Sequence, residues 1–290
     1  MSINRQNLSV IIVSYESEHV IENCINSVDN QIEIIIIENS NNEEFKKNIE
    51  KKYSNVKCIL SPENLGMGAG NNLGIKNIKS DFAFILNPDV NLEKDSLDII
   101  FDASKNINDF GILAPISTKE KYPNYQLEKK TEFDPNKPFR VKSVDGFAMI
   151  LNLNRLRKIE NFKFFDENFF MYLENDDLCK RLIQKNENIY IIPKSKINHL
   201  GGEAVDPKYE KEIEYSRNWH WMWSKFYYNK KHYGYLIATT KVLGNFSSAI
   251  IKFFYYSITL NEFKRKIYQM RLLGLFNSMI GKKSFYRPKL

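Results

Sequence analysis

Residues 8–40, LSVIIVSYESEHVIENCINSVDNQIEIIIIENS, indicate the fold most directly. Two short apolar runs, Leu8 to Val13 and Ile32 to Ile37, enclose a segment whose apolar residues recur at helical spacing from Val20 to Val28. Short continuous apolar runs are typical of strands that are buried on both faces. The stretch therefore predicts a strand, a helix and a second strand parallel to the first.

The same alternation continues along the chain. A third apolar run, Phe82 to Leu86, precedes apolar residues at roughly helical spacing between Leu92 and Phe101. Val144 to Leu151 and Ile189 to Ile192 are further strand candidates. The pattern predicts an α/β fold with a mostly parallel sheet flanked by helices.

The chain changes character in two places. Residues 116–142 are polar, contain three prolines and lack a period, so an irregular loop is expected there. After residue 206 only helical patterns occur, with two apolar stripes at helical spacing: Tyr215, Trp219, Met222, Trp223 and Phe226, and then Leu243, Phe246, Ile250 and Phe253. Thr259 and Glu262 have the spacing of a capping box, which predicts a third helix starting near Thr259. We therefore divide the chain into an α/β domain, residues 1–206, and an amphipathic helical region, residues 207–290.

Composition narrows the location and the partners. The three cysteines have no CxxC spacing, which argues against a disulfide framework or zinc cluster and favours the reducing cytosol. The amino-terminal segment does not have the pattern of a signal peptide. The net charge is +7, yet residues 241–290 alone hold ten Lys or Arg and one acid, a balance of +9. A basic C-terminal segment of this kind needs an anionic partner, and no nucleic-acid-binding motif accompanies it.

Polar residues follow three predicted strands, where α/β sheets bind their ligands. These segments are Ser14-Tyr15-Glu16, Glu38-Asn39-Ser40 and Asn87-Pro88-Asp89. A carboxylate such as that of Asp89 can hold a divalent cation that bridges diphosphate oxygens. A simple turn is the alternative for this segment, since Asn, Pro and Asp are ordinary turn formers.

Two further groups of residues could carry chemistry. The acids of Glu174-Asn175-Asp176-Asp177 repel one another unless a cation, a proton or a basic substrate is present, although Asp177 could instead cap a helix. His199, followed by Gly201 and Gly202, could complete a metal site, and a structural role is its alternative. The glycines of residues 64–74 match neither a dinucleotide loop nor a Walker motif.

Eight segments together resemble the family 2 glycosyltransferases, particularly the rhamnosyltransferase-like branch. In order they are IIVSYES, IIIIENSN, NLGMGAGNNLGI, FILNPDV, VDGFAMIL, FFMYLENDDLCKR, INHLGG and a closing RPKL. The resemblance extends over nearly all of the 290 residues, because the segments are spread from the first predicted strand to the last residues. The resemblance implies a GT-A nucleotide-diphospho-sugar transferase fold, with residues 1–206 as its catalytic domain and a C-terminal α-helical extension.

The resemblance also implies a role for individual residues and a divalent cation, Mg²⁺ or Mn²⁺. It assigns donor contacts to Ser14, Tyr15, Glu16, Glu38, Asn64, Gly66, Asn71, Asn87 and Asp89, metal ligands to Asp89 and His199, and the acceptor side to Asp145 and Gly146. Similar enzymes carry a Glu-Asp pair at positions 174 and 175, with the Asp as the catalytic base. Asn175 departs from this pattern, and an amide cannot accept the proton as a carboxylate does. Either Glu174, Asp176 or Asp177 substitutes as the base, or the chain is inactive.

The resemblance thus implies an inverting, metal-dependent transferase in cell-surface polysaccharide synthesis. Its donor would be a nucleotide-diphosphate sugar, dTDP-rhamnose-like or UDP-linked, and its acceptor a hydroxyl of a glycan or of a polyprenyl-linked glycan. A sugar-phosphate nucleotidyltransferase and a non-catalytic binding or assembly protein are the alternatives. Residues 207–290 are expected to hold the protein on the anionic inner face of the cell membrane, or else to pack on the domain or form a homodimer.

Overall fold

The computed structural model of the chain describes residues 1–118, 123–127, 134 and 136–288. In chain order the first elements are β1 (Leu8–Ser14), α1 (Glu18–Ser27), β2 (Glu33–Glu38), α2 (Glu43–Lys52), β3 (Val56–Leu60), α3 (Gly66–Lys76), β4 (Phe82–Leu86), β5 (Val90–Leu92), α4 (Ser96–Asn106) and β6 (Phe110–Ser117). Next come β7 (Tyr125–Gln126), β8 (Phe139–Arg140), β9 (Ser143–Val144), β10 (Ala148–Asn152), α5 (Leu153–Leu156), α6 (Glu174–Gln184) and β11 (Asn188–His199). A 3₁₀ turn, Pro207–Tyr209, leads into α7 (Glu210–Tyr233), α8 (Tyr235–Ile258) and α9 (Glu262–Met279).

One sheet contains most of these strands, in the order β3, β2, β1, β4, β10, β6, β11, β5, with β8 paired to β11. β1 pairs in parallel with β2 and β4, whereas β10 runs antiparallel to β4 and β6. All seven residues of β1 are buried, as expected for a strand covered on both faces. The predicted α/β fold with a mostly parallel central sheet, flanking helices and C-terminal helices is confirmed.

The register of the sheet brings several predicted site segments to one edge. Ser14 pairs with Glu38 at the carboxyl ends of β1 and β2. Ala148, the first residue of β10, pairs with Leu86, the last residue of β4. Residues 87–89 therefore leave the sheet where residues 145–147 enter it.

Three expectations from the sequence need correction. The segment 116–142 is not wholly irregular, because it contains the short strands β7 and β8. Phe139 in β8 is buried and its ring contacts Tyr125 in β7, and this apolar contact stabilises the two strands. Residues 119–122, 128–133 and 135, which include Pro135, lie outside the described residues. The run Val144 to Leu151 is two strands, since the chain turns at Asp145 and Gly146. Leu92 belongs to β5 and not to the helix after it.

The chain forms two compact units. The first comprises Met1–Leu65, Ala69–Asp166 and Asn175–Asp206, and the second comprises Gly66–Gly68, Glu167–Glu174 and Pro207–Leu290. The second unit thus contains two short segments that the sequence division assigns to the α/β domain.

In the second unit, the apolar stripe predicted on α7 is buried. Trp219, Met222, Trp223 and Phe226 are its buried members. The stripe predicted on α8 is not the buried side of that helix, because Leu243 and Phe246 are exposed. The buried side carries the smaller residues Ala238, Val242 and Ala249. α9 begins at Glu262 and not near Thr259, since the side chain of Asn261 accepts the hydrogen bond that caps the helix.

Across the described parts of the chain, every helix is too short or too polar to cross a membrane. This applies to α8 as well, the most apolar of the three long helices of the second unit. Lysines at positions 241 and 252 interrupt its apolar sequence.

Candidate active site

Asp89 lies in the turn between β4 and β5. The backbone N–H of Val90 donates to the carbonyl of Asn87 at 3.1 Å, so the segment is a turn, as its composition suggested. The turn also buries the Asp89 side chain, whose exposed fraction is 1%. None of the described residues donates a hydrogen bond to its Oδ1 atom, and a buried carboxylate oxygen without a donor is costly unless a cation or proton accompanies it.

His199 comes next to Asp89 through strand pairing. β11 runs antiparallel to β5, and His199 pairs with Val90. The Nε2 atom of His199 lies 3.5 Å from Oδ2 of Asp89, and the Leu200 N–H donates to the Asp89 carbonyl at 3.0 Å. The sequence predicted both residues as metal ligands, and the fold brings their side chains together.

The turn of residues 145–147 borders this pair. Phe147 stacks on the His199 ring with 4.1 Å between ring centroids, and its carbonyl accepts from the Asn87 N–H at 2.9 Å. Phe147 was not among the predicted site residues, although it directly follows Asp145 and Gly146 in the sequence. Only the pairing of β4 with β10 shows that it faces the histidine.

Asn175 touches the same turn from α6. Its side-chain nitrogen donates to the Val144 carbonyl at 2.8 Å. A Cβ atom placed on Gly146 would lie 3.2 Å from the Cβ of Asn175, so glycine permits this close approach. The predicted acceptor segment, Asp145 and Gly146, is therefore next to the position where similar enzymes are expected to carry their base.

The three acids around Asn175 have different surroundings. Asp177 is fully buried and pairs with Arg181 at 2.7 Å, one turn along α6. Arg181 also donates to the carbonyls of Lys163 and Phe164, so this pair fastens α6 to the preceding loop. The geometry gives Asp177 a structural partner.

Asp176 faces strand β9. Burial raises the pKa of its carboxyl, while a hydrogen bond from Ser143 and the charge of Lys142 oppose that shift. A carboxylate with a raised pKa is a stronger base than an exposed one. Glu174, the third acid, is buried at the first position of α6 and belongs to the second unit.

The ends of β1 and β2 form another group of predicted residues. The Ser40 N–H donates to Glu38 at 2.6 Å, and the Ser40 hydroxyl accepts from the Glu16 N–H at 2.9 Å. Burial raises the pKa of Glu38, and hydrogen bonds from Ser14 and Ser40 to its carboxylate oppose the shift. Glu16 has a positive φ of 52°, and Tyr15 beside it donates its N–H to the Ser17 hydroxyl. Ser14, the last residue of β1 and also a predicted donor contact, is buried.

The glycine-rich segment is explained mainly by packing. A Cβ on Gly74 would come within 2.4 Å of the Ile11 side chain, so α3 lies close against β1. Gly66, in the second unit, has a φ of +74° and would clash with the Phe170 backbone if it carried a Cβ. Asn71 is buried, and its side-chain oxygen accepts no hydrogen bond from the part of the chain that the structure describes. Asn64 is half-buried.

A divalent cation fits the pair of Asp89 and His199. Within the described ranges, no group of three or more His, Cys, Asp or Glu side chains could hold a metal ion. Asp89, through its buried Oδ1 atom, and His199 are the residues that would hold the ion. Mg²⁺ commonly binds in this way, through one or two carboxylates with substrate phosphates and water as the other ligands.

Comparison with known proteins decides the family. Residues 9–174 match the model of glycosyl transferase family 2. The chain belongs to this family. The predicted resemblance to family 2 glycosyltransferases is thereby confirmed, and the relatives described next support the rhamnosyltransferase-like branch.

Two curated relatives of this family 2 member are named as glycosyltransferases. One is the low-salt glycan biosynthesis hexosyltransferase Agl10 of Haloferax volcanii, 28% identical over 200 residues. That match covers 63% of this chain and 63% of the relative, so the chain spans less than two thirds of its length. The other is the rhamnosyltransferase WbbL of Escherichia coli K12, 23% identical over 211 residues, with 63% of this chain and 80% of the relative covered.

Two solved structures share the fold of this family 2 member. A structure of GalNAc-T7 with UDP, GalNAc and Mn²⁺ has a TM-score of 0.54 at 14% identity and covers 73% of this chain and 50% of its own. Residues 1–349 of S. aureus TarS have a TM-score of 0.51 at 13% identity, with 97% of this chain and 93% of that chain covered. At such identities the likeness concerns the fold alone.

Proposed function

We propose that this family 2 member is an inverting transferase that moves a hexosyl group from a nucleotide-diphosphate sugar to a hydroxyl of a glycan or of a polyprenyl-linked glycan. One observation carries the proposal: a buried carboxylate and an imidazole, Asp89 and His199, adjoin the turn that Asn175 contacts from α6. Such a group provides a place for a diphosphate and a cation beside a place for an acceptor. The names of the relatives support a hexosyl donor. We propose that the sugar is linked to dTDP or UDP, as the resemblance to family 2 enzymes implies.

Mg²⁺ or Mn²⁺ bound by Asp89 and His199 would neutralise the charge that develops on the diphosphate. Asn87 and the ends of β1 and β2, with Ser14, Tyr15, Glu16 and Glu38, would bind the nucleotide. Asn64, Gly66 and Asn71 complete the proposed donor contacts.

We assign the role of base to Asp176. It follows Asn175 on α6 and accepts a hydrogen bond from Ser143, which lies on the strand leading to Asp145 and Gly146. Its carboxylate takes the proton of the acceptor hydroxyl while the oxygen attacks the anomeric carbon. The bond from that carbon to the diphosphate breaks from the opposite face, the nucleoside diphosphate leaves with the electron pair, and the configuration inverts. Asp177 is less suited because Arg181 already neutralises it.

The products of a simple incubation distinguish this function from its rivals. With a nucleotide sugar and Mn²⁺, a transferase slowly releases free nucleoside diphosphate by hydrolysis. A nucleotidyltransferase would instead form pyrophosphate from a nucleoside triphosphate and a sugar phosphate, and an assembly protein would form neither. Absence of nucleoside diphosphate with every donor tested would contradict the proposal.

Substitutions then test the base. Asp176→Asn should lower the turnover by at least about a hundredfold, the scale of general-base catalysis, without lowering the unfolding temperature. Glu174→Gln is the matched comparison on the same helix and should have a smaller effect. If both variants keep the rate, neither Asp176 nor Glu174 is the base.

The second unit supports a peripheral membrane location. On α8, five exposed apolar residues share one stripe at helical spacing: Leu236, Leu243, Ile251, Phe254 and Ile258. The buried residues Ala238, Val242 and Ala249 lie on the opposite side of the helix. Residues 241–290, which include most of this stripe, carry a balance of +9. An exposed apolar stripe in a basic segment suits the boundary of an anionic lipid layer, where each Lys or Arg contributes about 1 kcal/mol. We therefore propose that the exposed stripe of α8 binds an anionic membrane.

Liposome flotation tests this location. Binding should require anionic lipid, weaken with added salt, and be lost when Leu236, Phe254 and Ile258 are replaced together by Ser. Zwitterionic liposomes are the control. If the protein ignores anionic liposomes at low salt and the same substitutions convert a dimer to a monomer, the stripe is a dimer interface instead.

A further inference from the structure

The C-terminal residues Ser284 to Arg287, which we call the tail, bind back onto α7. The Nε2 atom of His220 lies 2.9 Å from the Tyr286 carbonyl, and its Nδ1 atom lies 2.9 Å from the Ser284 hydroxyl. A carbonyl can only accept, so Nε2 carries the proton and donates, and Nδ1 accepts from Ser284. Both nitrogens of this fully buried ring are therefore used to hold the tail.

The tail and His220 meet on one side chain, Phe170. The His220 ring stacks on the Phe170 ring with 4.4 Å between centroids. The Arg287 guanidinium lies 3.9 Å from the centroid of the same ring. Arg287 is itself held, because it donates to the carbonyls of Ser284 and Tyr286 at 2.9 Å each. Lys289 and Leu290, the end of the RPKL segment, lie outside the described residues.

Phe170 in turn connects two segments that the proposed function uses. Its carbonyl accepts from the Met67 N–H at 2.9 Å, next to Gly66 in the glycine-rich segment. Downstream, the Met171 carbonyl accepts from Ser224 on α7 at 2.7 Å. The chain then passes through Tyr172 and Leu173, both with positive φ, before Glu174 begins α6. Two consecutive non-glycine residues in that conformation are strained and need support from their surroundings.

We infer that His220 and Arg287 are positioning residues, which use the tail to hold Phe170 and thereby fix both the glycine-rich segment at Gly66 and the start of α6. The inference rests on the proposed function, because it takes these two segments as parts of the donor and acceptor machinery. It assigns a task to the closing RPKL motif, which the catalytic proposal leaves without one. All of the contacts involved lie within the second unit.

Hydrogen exchange of the full chain tests this inference without relying on activity. Arg287→Ala changes an exposed side chain, so the variant should fold. We expect exchange of the backbone amides in residues 66–68 and 167–174 to accelerate about tenfold or more, and Arg287→Lys to restore part of the protection because it keeps a cation over the ring. Arg157→Ala, which removes an exposed arginine of the first unit, is the matched control and should leave these amides unchanged.

Kinetics give the second measurement. In an active enzyme, Arg287→Ala should lower kcat about tenfold while the protein remains folded at the assay temperature. His220→Gln should also lower kcat. Unchanged exchange in both segments with Arg287→Ala overturns the inference, whatever the activity. Accelerated exchange in a protein that forms no nucleoside diphosphate would leave the positioning role intact and contradict the proposed function alone.

Discussion

Replacing Asn175 by Asp is the most informative single change at the site, because relatives are expected to carry Asp there. The Asn175 amide donates to the Val144 carbonyl at 2.8 Å, and both residues are buried. The substitution replaces the donor by a carboxylate oxygen and leaves the carbonyl without its hydrogen bond. A buried polar group left unpaired costs about 1–3 kcal/mol, so we expect N175D to lower the free energy of unfolding by about 2 kcal/mol at pH 7.

Urea unfolding at two pH values measures this loss. The introduced carboxyl can donate to the Val144 carbonyl only when it is protonated, so its pKa in the folded protein is raised above that in the unfolded chain. The destabilisation is therefore full above the raised pKa and shrinks as the pH falls through it. Asn175→Ala is the control, since it loses the same hydrogen bond without adding a titrating group.

The result that refutes this reasoning is an N175D protein as stable as the wild type at pH 7. Identical pH dependence of N175D and N175A would refute it equally. The turnover of N175D adds a second result: retention or gain of activity would support the alignment of residue 175 with the base of similar enzymes.

Three further predictions concern other positions. Asp89→Ala should abolish donor turnover, and a chelator should have the same effect reversibly. His199→Ala should reduce turnover less than Asp89→Ala does, because water can replace one metal ligand. Full turnover in the presence of chelator would exclude the metal role. Asp177→Asn should cost about 3 kcal/mol in urea unfolding by breaking a buried ion pair, and a loss of rate without a loss of stability would make Asp177 the base instead. Burial lowers the pKa of His220 to about 3 in the folded protein, against an ordinary value of 6.5. Its contribution to stability is complete above pH 6.5 and should fall by about 2 kcal/mol between pH 6.5 and 5, a slope that His220→Gln should remove.

The central strands could be predicted from the sequence because burial on both faces leaves continuous apolar runs. Ile35 and Ile36 in β2, for example, are both fully buried although they point to opposite faces. The turn that splits the run after Val144 was missed, since Asp145 and Gly146 interrupt the apolar residues only briefly. The start of α9 was predicted too early because the capping-box spacing selects Thr259, whereas it is the side chain of Asn261 that accepts the capping hydrogen bond.

The candidate site was predictable to the extent that it follows strand ends. Asp89 and Glu38 are selected by their positions directly after apolar runs, and His199 is selected as a candidate metal ligand beside two glycines. Contacts between residues distant in sequence cannot be found in this way. Nothing local shows that Phe147 stacks on His199 or that Arg287 lies over Phe170, because sheet pairing and helix packing create those contacts.

A thermal-shift panel of UDP-, dTDP- and GDP-sugars, with and without Mn²⁺, tests most directly whether the chain uses a nucleotide-diphosphate sugar at Asp89. A ligand at a hundred times its Kd stabilises the folded protein by about 2.7 kcal/mol, which corresponds to a rise of several degrees in the unfolding temperature. We predict that one donor produces this rise in the presence of Mn²⁺, and that Asp89→Ala, although folded, loses it. No rise with any donor, or an equal rise in Asp89→Ala, would contradict the account.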